Sequence, residues 1–420
     1  MKVLLISKER SGGGAALAAY RLLLALRKQG VDVKMLVQED GNEEEGIFST
    51  THSALKRWIN FMRFVLERLV FFTQERSPAV RFHFSLANTG EDLTKNPHFL
   101  DADIIHLHWI NAGFISLRSL QKILKSGKPV IWTFHDEWTF TGGCHLALDC
   151  QAFSQQCGMC PYLRRPGRKD LSTRIWRRKE KLFRNFEFRV ITPSNWLHSR
   201  VRSSSLLSNF KLQVIPNVVD TSLFRPVDKN ESCRRLGLKS ETRYILFGAA
   251  SMKSAFKGFD YFREAVNIIH RELGNNVNVE ILLFGKSDDD VANVFPLKTR
   301  HAGIVKKAED MVDLYSVADV YVNPSLQESF GYTILESMLC GTPVVGFKIG
   351  AISEIILHKE NGYLADNKSV EDLADGIMWI LRSANPDMIS ERARSTMLER
   401  FHEEDTSKAH ISLYQSIITA

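Results

Sequence analysis

No apolar run in this 420-residue chain reaches the ~18–20 residues that a membrane-spanning helix needs. The opening stretch, MKVLLISKERSGGG, has a short apolar segment and no small-residue cleavage site, so it is not expected to act as a secretory signal. Cysteine is sparse outside one short segment: Cys233 and Cys340 stand alone, and without a secretory signal a disulfide framework is not expected. There is no short-period repeat and no long low-complexity tract. These absences argue against a membrane-spanning protein, a secreted disulfide scaffold and a solenoid. They leave a globular chain, expected in the cytoplasm or peripheral at the inner face of a membrane.

What is present fits that class. A hydrophobic share of 44% with 25% charged residues supplies sizeable cores, and 420 residues suggest two or three domains. The formal charge of +7 is concentrated: residues 161–190 hold eleven Arg and Lys against three acids. Such a run either solvates a helix face or meets phosphates, nucleic acid or an anionic membrane surface.

Apolar runs alternate with helical patterns. VLLIS, VDVKMLV, DIIHLHW, PVIWTFH and FRVITPS form a first series of expected strands, and LQVIPN, YILFGAA, VEILLFG, DVYVNPS and PVVGF a second. Near-continuous apolar strands separated by helices predict an α/β chain with parallel sheets covered on both faces, in two Rossmann-like, doubly wound domains facing a cleft. The joint is expected around residues 199–209. That gives an N-terminal domain over 1–205 with a Cys-rich insertion at 144–160, a C-terminal domain over 206–398, and a C-terminal helix over 399–420 that can pack back on the first domain. One segment stands apart. LKRWINFMRFVLERLVFF, Leu55 to Phe72, reads as an amphipathic helix with Trp58, Phe61, Met62, Val65, Leu69 and Phe72 on its apolar face. That face is expected to pack on the first domain; a membrane surface is the other reading.

The chemistry should lie just after the strands, because open α/β sheets bind ligands at their carboxyl ends. Gly12, Gly13 and Gly14 follow the first strand. They can let a ligand approach a helix N-terminus, or simply make a tight turn. In QESFGYTILESMLCGTPVV, Glu328 sits in a loop, Gly331 opens a helix and Glu336 lies one to two turns down it. A helix mouth there favours a diphosphate, and the carboxylates suit hydrogen bonds from sugar hydroxyls.

The pattern P-S-x₂-E-x₂-G-x₄-E followed by G-x-P-V-V resembles the donor-binding signature of family-4, GT-B-fold, retaining glycosyltransferases. PSN at Pro193–Asn195, IPNVVD at Ile215–Asp220, LFGAASMKSAFKGFD at Leu246–Asp260, HAGIV at His301–Val305 and NGYL at Asn361–Leu364 agree in order. The resemblance implies that Glu336 holds the nucleotide ribose. It also implies that Glu328, with the backbone of Ser329, Phe330 and Gly331, holds the donor sugar and its phosphate, and that Lys257 neutralises the leaving diphosphate. His135 would face the donor sugar, and Gly13, Gly14, Ser251, Lys253 and Ile304 complete the expected donor set. Transfer would go from a nucleotide-diphosphate sugar to a glycan or lipid-linked glycan, with retention. No D-x-D-like motif is placed to clamp the diphosphate, so no catalytic metal is expected. Where the family carries an Arg about five residues before the lysine, this chain has Met252; Lys253 is the neighbouring cation that can replace it.

Residues 135–160 hold four cysteines and two histidines. Cys144, Cys150, Cys157 and Cys160, spaced C-x₅-C-x₆-C-x₂-C, suit a tetrahedral structural Zn²⁺, with His145 able to replace one ligand. An iron–sulfur cluster, free thiols or a disulfide pairing are the alternatives. The motif H-D-x-W-x-F-T-G-G-C-H…C…C-x₂-C-P resembles a subset of bacterial family-4 transferases that build colanic-acid-like and capsular polysaccharides. His106 and His108, alternating in DIIHLHW, are assigned structural roles. Two other readings stand against transfer. A GT-B-fold sugar-nucleotide epimerase would act on a free nucleotide sugar without an acceptor. A nucleic-acid-binding module would use the basic run and a zinc knob, leaving the second domain's motif unexplained; nucleic acid is not the expected partner.

Overall fold

Alternate residues of one strand point to opposite sides of a sheet, so a strand covered on both sides must be apolar throughout. The computed structural model, which describes residues 1–39, 46–252, 254–274, 278–287 and 290–419, shows this in both halves of the chain. In β1 (Lys2–Ser7) Leu4 and Ile6 join one core while Val3 and Leu5 join the core on the other side.

The first compact unit comprises Met1–Val218 and Glu404–Ala420. Its sheet also contains β2 (Asp32–Val37), β3 (Ile47–Ser49), β4 (Ile104–Leu107), β5 (Val130–Thr133), β6 (Arg189–Thr192) and β7 (Leu212–Val214). Every pairing is parallel, in the order β3-β2-β1-β4-β5-β6-β7. The run LQVIPN, expected to open the second series, instead closes this sheet. Leu212 to Val214 pair with Val190 to Thr192, so the chain leaves the first unit after Val218 and not near residue 205. The final helix, Glu403–Ile418, buries Tyr414 in the same unit's core.

The second unit spans Val219–Glu403. Its strands are β8 (Arg243–Ser251), β9 (Val279–Lys286), β10 (Thr299–His301), β11 (Val320–Asn323), β12 (Val344–Phe347) and β13 (Gly362–Ala365), all parallel, in the order β10-β9-β8-β11-β12-β13. β8 divides its side chains as β1 does, Tyr244 and Leu246 to one core and Ile245 and Phe247 to the other. In both sheets the order reverses beside the first strand of the unit, between β1 and β4 and between β8 and β11. The carboxyl ends of these strands are where such sheets open a crevice.

Two helices follow the first strands of the chain. α1 (Gly14–Lys28) buries its alanine and leucine face. α2 (Ala54–Phe72) corrects the sequence reading: Trp58, Phe61, Leu69 and Phe72 are exposed, and the helix buries Glu67, Arg68 and Phe71 instead. Among the described residues no helix is long and apolar enough to cross a membrane.

Candidate active site

The second unit's site is built by two loops, after β8 and after β11, that close on each other. Leu326 N–H donates to Phe256 O at 2.8 Å. Gly258, with φ +70°, passes so near the other loop that a Cβ would stand 2.0 Å from Pro324 O, which leaves no room for any side chain. This crossing brings Lys257 Nζ to 2.9 Å from Glu328 Oε2. The backbone of Glu328 is itself fixed: Ala351 N–H donates to its carbonyl at 3.0 Å, and a Cβ on Gly350 (φ +52°) would lie 2.5 Å from that oxygen. Gly331 (φ +86°) then caps the helix Tyr332–Leu339 without a side chain over its N-terminus, and Glu336 is buried on that helix.

Ser329 and Phe330 are also buried, Ser251 ends β8 half-buried, and Ile304 is exposed three residues beyond β10. Gly285 N–H donates to Gly303 O at 2.7 Å, which holds the Ile304 segment against the end of β9. Met252 is packed in the core, so it does not replace the arginine that the family carries. Lys253, the expected substitute, lies outside the described residues.

In the first unit the strand ends are tied by side chains. Lys8 N–H, after β1, donates to Trp109 O after β4 at 2.8 Å, and Trp109 Nε1–H donates to Asp136 Oδ2 after β5 at 2.9 Å. Burial works to raise the Asp136 carboxyl, but His145 and N–H donors from Trp138 and Trp109 outweigh it and hold it below its usual range. His135 stacks on His108, with ring centroids 5.3 Å apart and Nε2 at 3.0 Å from His108 Nδ1. Burial pushes the His135 imidazole down to about 4, so it is neutral at pH 7. His106 is held between Tyr414 Oη at 2.7 Å and Thr133 Oγ1 at 2.8 Å, a structural role as expected. His108 does more than fill the core, because it is the partner of His135. Gly13 has open space where a Cβ would be and an extended φ of −168°, and Gly14 begins α1.

The cysteines need two corrections of detail. His145 cannot replace a metal ligand, since Nδ1 engages Asp136 at 2.7 Å and Nε2 engages Ser85 Oγ at 2.8 Å. Cys144, Cys150, Cys157 and Cys160 are not joined as disulfides and line one small, mostly apolar pocket. Burial raises the thiols of Cys157 and Cys160, to about 11 and about 12, and pushes that of Cys144 well above its usual range too. Among the described residues no three His, Cys, Asp or Glu side chains already stand as a metal-holding group.

Two residues of these sites gave no signal in the sequence. Lys8 stands at the end of β1 over the rings of Phe64 and Trp109, and burial lowers its ammonium. Lys179 is wholly buried, donates to Trp138 O and to Thr141 O, and is pushed down by burial to about 7.

Residues 12–223 match the glycosyltransferase family 4 domain, and residues 242–383 match the domain described as glycosyl transferases group 1. The first match covers half of the chain. The chain belongs to glycosyltransferase family 4. It is 24% identical over 215 residues to N-acetyl-alpha-D-glucosaminyl L-malate synthase of Bacillus anthracis, covering 50% of this chain and 55% of that protein. The chain spans about half the length of the first curated relatives it matches. Its fold is that of sucrose-phosphate synthase from Thermosynechococcus elongatus, with a TM-score of 0.69 at 18% identity over 100% of this chain and 99% of the other. Anabaena HepE, solved in complex with UDP-glucose, gives a TM-score of 0.64 at 16% identity over 99% and 100% of the two chains. This family-4 chain therefore has the GT-B fold, two Rossmann-like units with parallel sheets.

Proposed function

We propose that this family-4 enzyme moves a hexosyl unit from a nucleotide-diphosphate sugar to a glycan acceptor, lipid-linked and destined for a capsular or exopolysaccharide, with retention at the anomeric carbon. The observation that carries the reading is the Lys257–Glu328 pair at 2.9 Å, held at the strand-order reversal of the second sheet beside the open N-terminus of the helix bearing Glu336. Departure of a nucleoside diphosphate builds negative charge on phosphate oxygens. A lysine and fixed N–H groups stabilise that charge without reorganising. In this reading Lys257 exchanges its carboxylate partner for phosphate, Glu336 accepts the ribose hydroxyls, and neutral His135 offers a hydrogen bond to the donor sugar. These residues do the work without a catalytic metal. HepE's complex with UDP-glucose supports a nucleotide-sugar donor in a protein of this fold.

Lys257→Ala should lower transfer by at least about 10²-fold, the scale of losing one charge-stabilising donor, and Glu336→Ala should weaken donor binding about tenfold or more by removing the acceptor of the ribose hydroxyls. Full activity in both variants would overturn the assignment. Conversion of free UDP-N-acetylglucosamine without an acceptor would point to an epimerase instead, and salt-dependent nucleic-acid binding to a binding module. A screen of nucleotide sugars for a rise in melting temperature identifies the donor.

The cysteine pocket is proposed as a structural staple filled by Zn²⁺. Four thiols suit that ion in kind and number, and the buried ammonium of Lys179 lies where thiolate charge would balance it. Metal analysis near one zinc per chain supports it; near-zero metal with reactive thiols removes it. On this reading the enzyme works in the cytoplasm or peripherally at the inner face of a membrane.

A further inference from the structure

An amphipathic surface helix ordinarily turns its apolar stripe inward; α2 is mounted the other way round. Glu67 is fully buried, and its carboxylate accepts N–H groups from Leu86 at 2.9 Å, Ala87 at 3.2 Å and Gly113 at 2.7 Å, together with Arg68 at 2.9 Å. Arg68 in turn donates to Arg81 O at 2.7 Å and Phe84 O at 2.8 Å. Phe71 stacks on Phe84 at 4.6 Å. The loop beneath is pressed onto the helix: a Cβ on Gly113, which has φ +81°, would lie 2.8 Å from Phe64 N. This polar clamp fixes the helix so that Leu55, Trp58, Phe61, Leu66, Leu69 and Phe72 face outward, each between 46% and 66% exposed. So much apolar surface along a helix about 28 Å long marks an interaction site.

Charge decides the occupant. Lys56, Arg57 and Arg63 lie along α2, of which Lys56 and Arg63 share the carboxylate of Glu91. At its C-terminal end Arg164 N–H donates to Gln74 O at 2.7 Å and Arg76 N–H to Tyr162 O at 2.9 Å. These bonds bring the exposed Arg76 and Arg164 to the same end, and the exposed Arg165, Arg168 and Lys169 follow in the next five residues of the chain. Of the acids in these segments, Glu75 and Glu67 are buried and paired with Arg81 and Arg68, and the carboxylate of Asp170, next to Lys169, accepts the N–H groups of Cys160, Gly167 and Thr173. A second copy would set the same cations against one another across a two-fold contact. An anionic bilayer meets both features, taking the aromatic side chains into its acyl boundary and the arginines at its headgroups.

We propose that α2 is a preassembled platform on which this protein lies on an anionic lipid surface. The proposal rests on the reading of a lipid-linked acceptor only for its purpose, since docking is measured with no donor or acceptor present.

The full chain is sedimented with phosphatidylcholine vesicles with or without phosphatidylglycerol. It should bind the anionic vesicles, release as salt is raised, and bind phosphatidylcholine alone at least about tenfold more weakly. Phe61→Ser with Leu69→Ser should weaken anionic binding at least about tenfold. Both side chains are exposed, so the melting temperature should hold. Trp58 should shift its emission to the blue on binding, a change absent from Trp58→Phe. No binding to anionic vesicles at low salt overturns the proposal. So does binding indifferent to the double substitution, or a concentration-dependent dimer that the double substitution dissolves. Vesicle binding by a Lys257→Ala enzyme that has lost transfer, or by an enzyme found to transfer nothing, leaves the docking intact and moves only the catalytic reading.

Discussion

The two units place their candidate sites at equivalent positions, the carboxyl ends of strands beside a reversal of strand order, yet hold them by different means. In the second unit the backbone does the holding. Gly258, Gly331 and Gly350 take positive φ, and at Gly258 and Gly350 the opposite loop occupies the space of a Cβ. In the first unit side chains do it, through Trp109 to Asp136, Asp136 to His145, His135 to His108 and His106 to Tyr414. A backbone-held loop depends on a few adjacent residues and writes itself as a motif. A side-chain network depends on partners far apart in the chain, and Tyr414 lies 308 positions from His106.

The sharpest way to break the contrast is a pair of glycine substitutions. Gly258→Val places a side chain where Pro324 O stands 2.0 Å from the Cβ position, on a backbone at φ +70°. It should cost roughly 3–5 kcal/mol of stability and abolish transfer with it. Gly13→Ala, with an extended φ and nothing within 4 Å, should change stability by less than about 0.5 kcal/mol. Thermal unfolding of both variants measures the difference. If Gly13→Ala keeps its melting temperature but loses ligand affinity, that glycine serves a close approach and not merely a turn.

Acid should separate the units next. Burial pushes down the imidazoles of His83, His106, His108, His135 and His410, all of which lie in the first unit. For His135 and His410 the folded value is about 4 against 6.5 for the free side chain. Between those values the unfolded chain binds more protons, so stability rises with pH there. Their contribution is complete above about pH 6.5 and fades as pH falls toward 4. Each such histidine adds a slope approaching about 1.4 kcal/mol per pH unit inside the window. Six of the seven tryptophans belong to the first unit and only Trp379 to the second. Tryptophan emission should therefore report acid unfolding at a higher pH than far-UV circular dichroism does, and His410→Gln should narrow the gap. Coincident transitions would show that the first unit's histidines do not govern its stability.

The same contrast explains what could be read from the residues alone. Apolar runs gave away the parallel strands because both sheet faces are covered, and P-S-x₂-E-x₂-G-x₄-E gave away the glycine-held loop after β11 because its geometry is local. β3, β10 and β13, each three or four residues long, carry too little apolar pattern to stand out, and LQVIPN was assigned to the wrong sheet because nothing within it says which edge it joins. α2 misled in an informative way. Its periodicity was legible, but which stripe faces inward was set by Leu86, Ala87 and Gly113, whose N–H groups Glu67 satisfies. The pairing of His108 with His135 was equally hidden, since two strand ends on different strands bring them together.

The smallest expected effect tests the longest of these links. Tyr414→Phe keeps the buried ring and removes only the hydroxyl that meets His106 Nδ1 at 2.7 Å, leaving that nitrogen buried without its partner. Losing one partner of a buried hydrogen bond costs about 1–3 kcal/mol, and the lower end applies here because Thr133 Oγ1 still holds the other ring nitrogen. A denaturant midpoint lowered by that loss divided by the slope of the transition, with the slope itself unchanged, is the expected result. Adding His106→Phe tests the pair itself: with the imidazole gone, the further cost of Tyr414→Phe should shrink toward zero, and a cost that persists would mean the hydroxyl stabilises the final helix through some other contact. Either way the measurement isolates how strongly the last turns of the chain support the strand end from which His135 is presented.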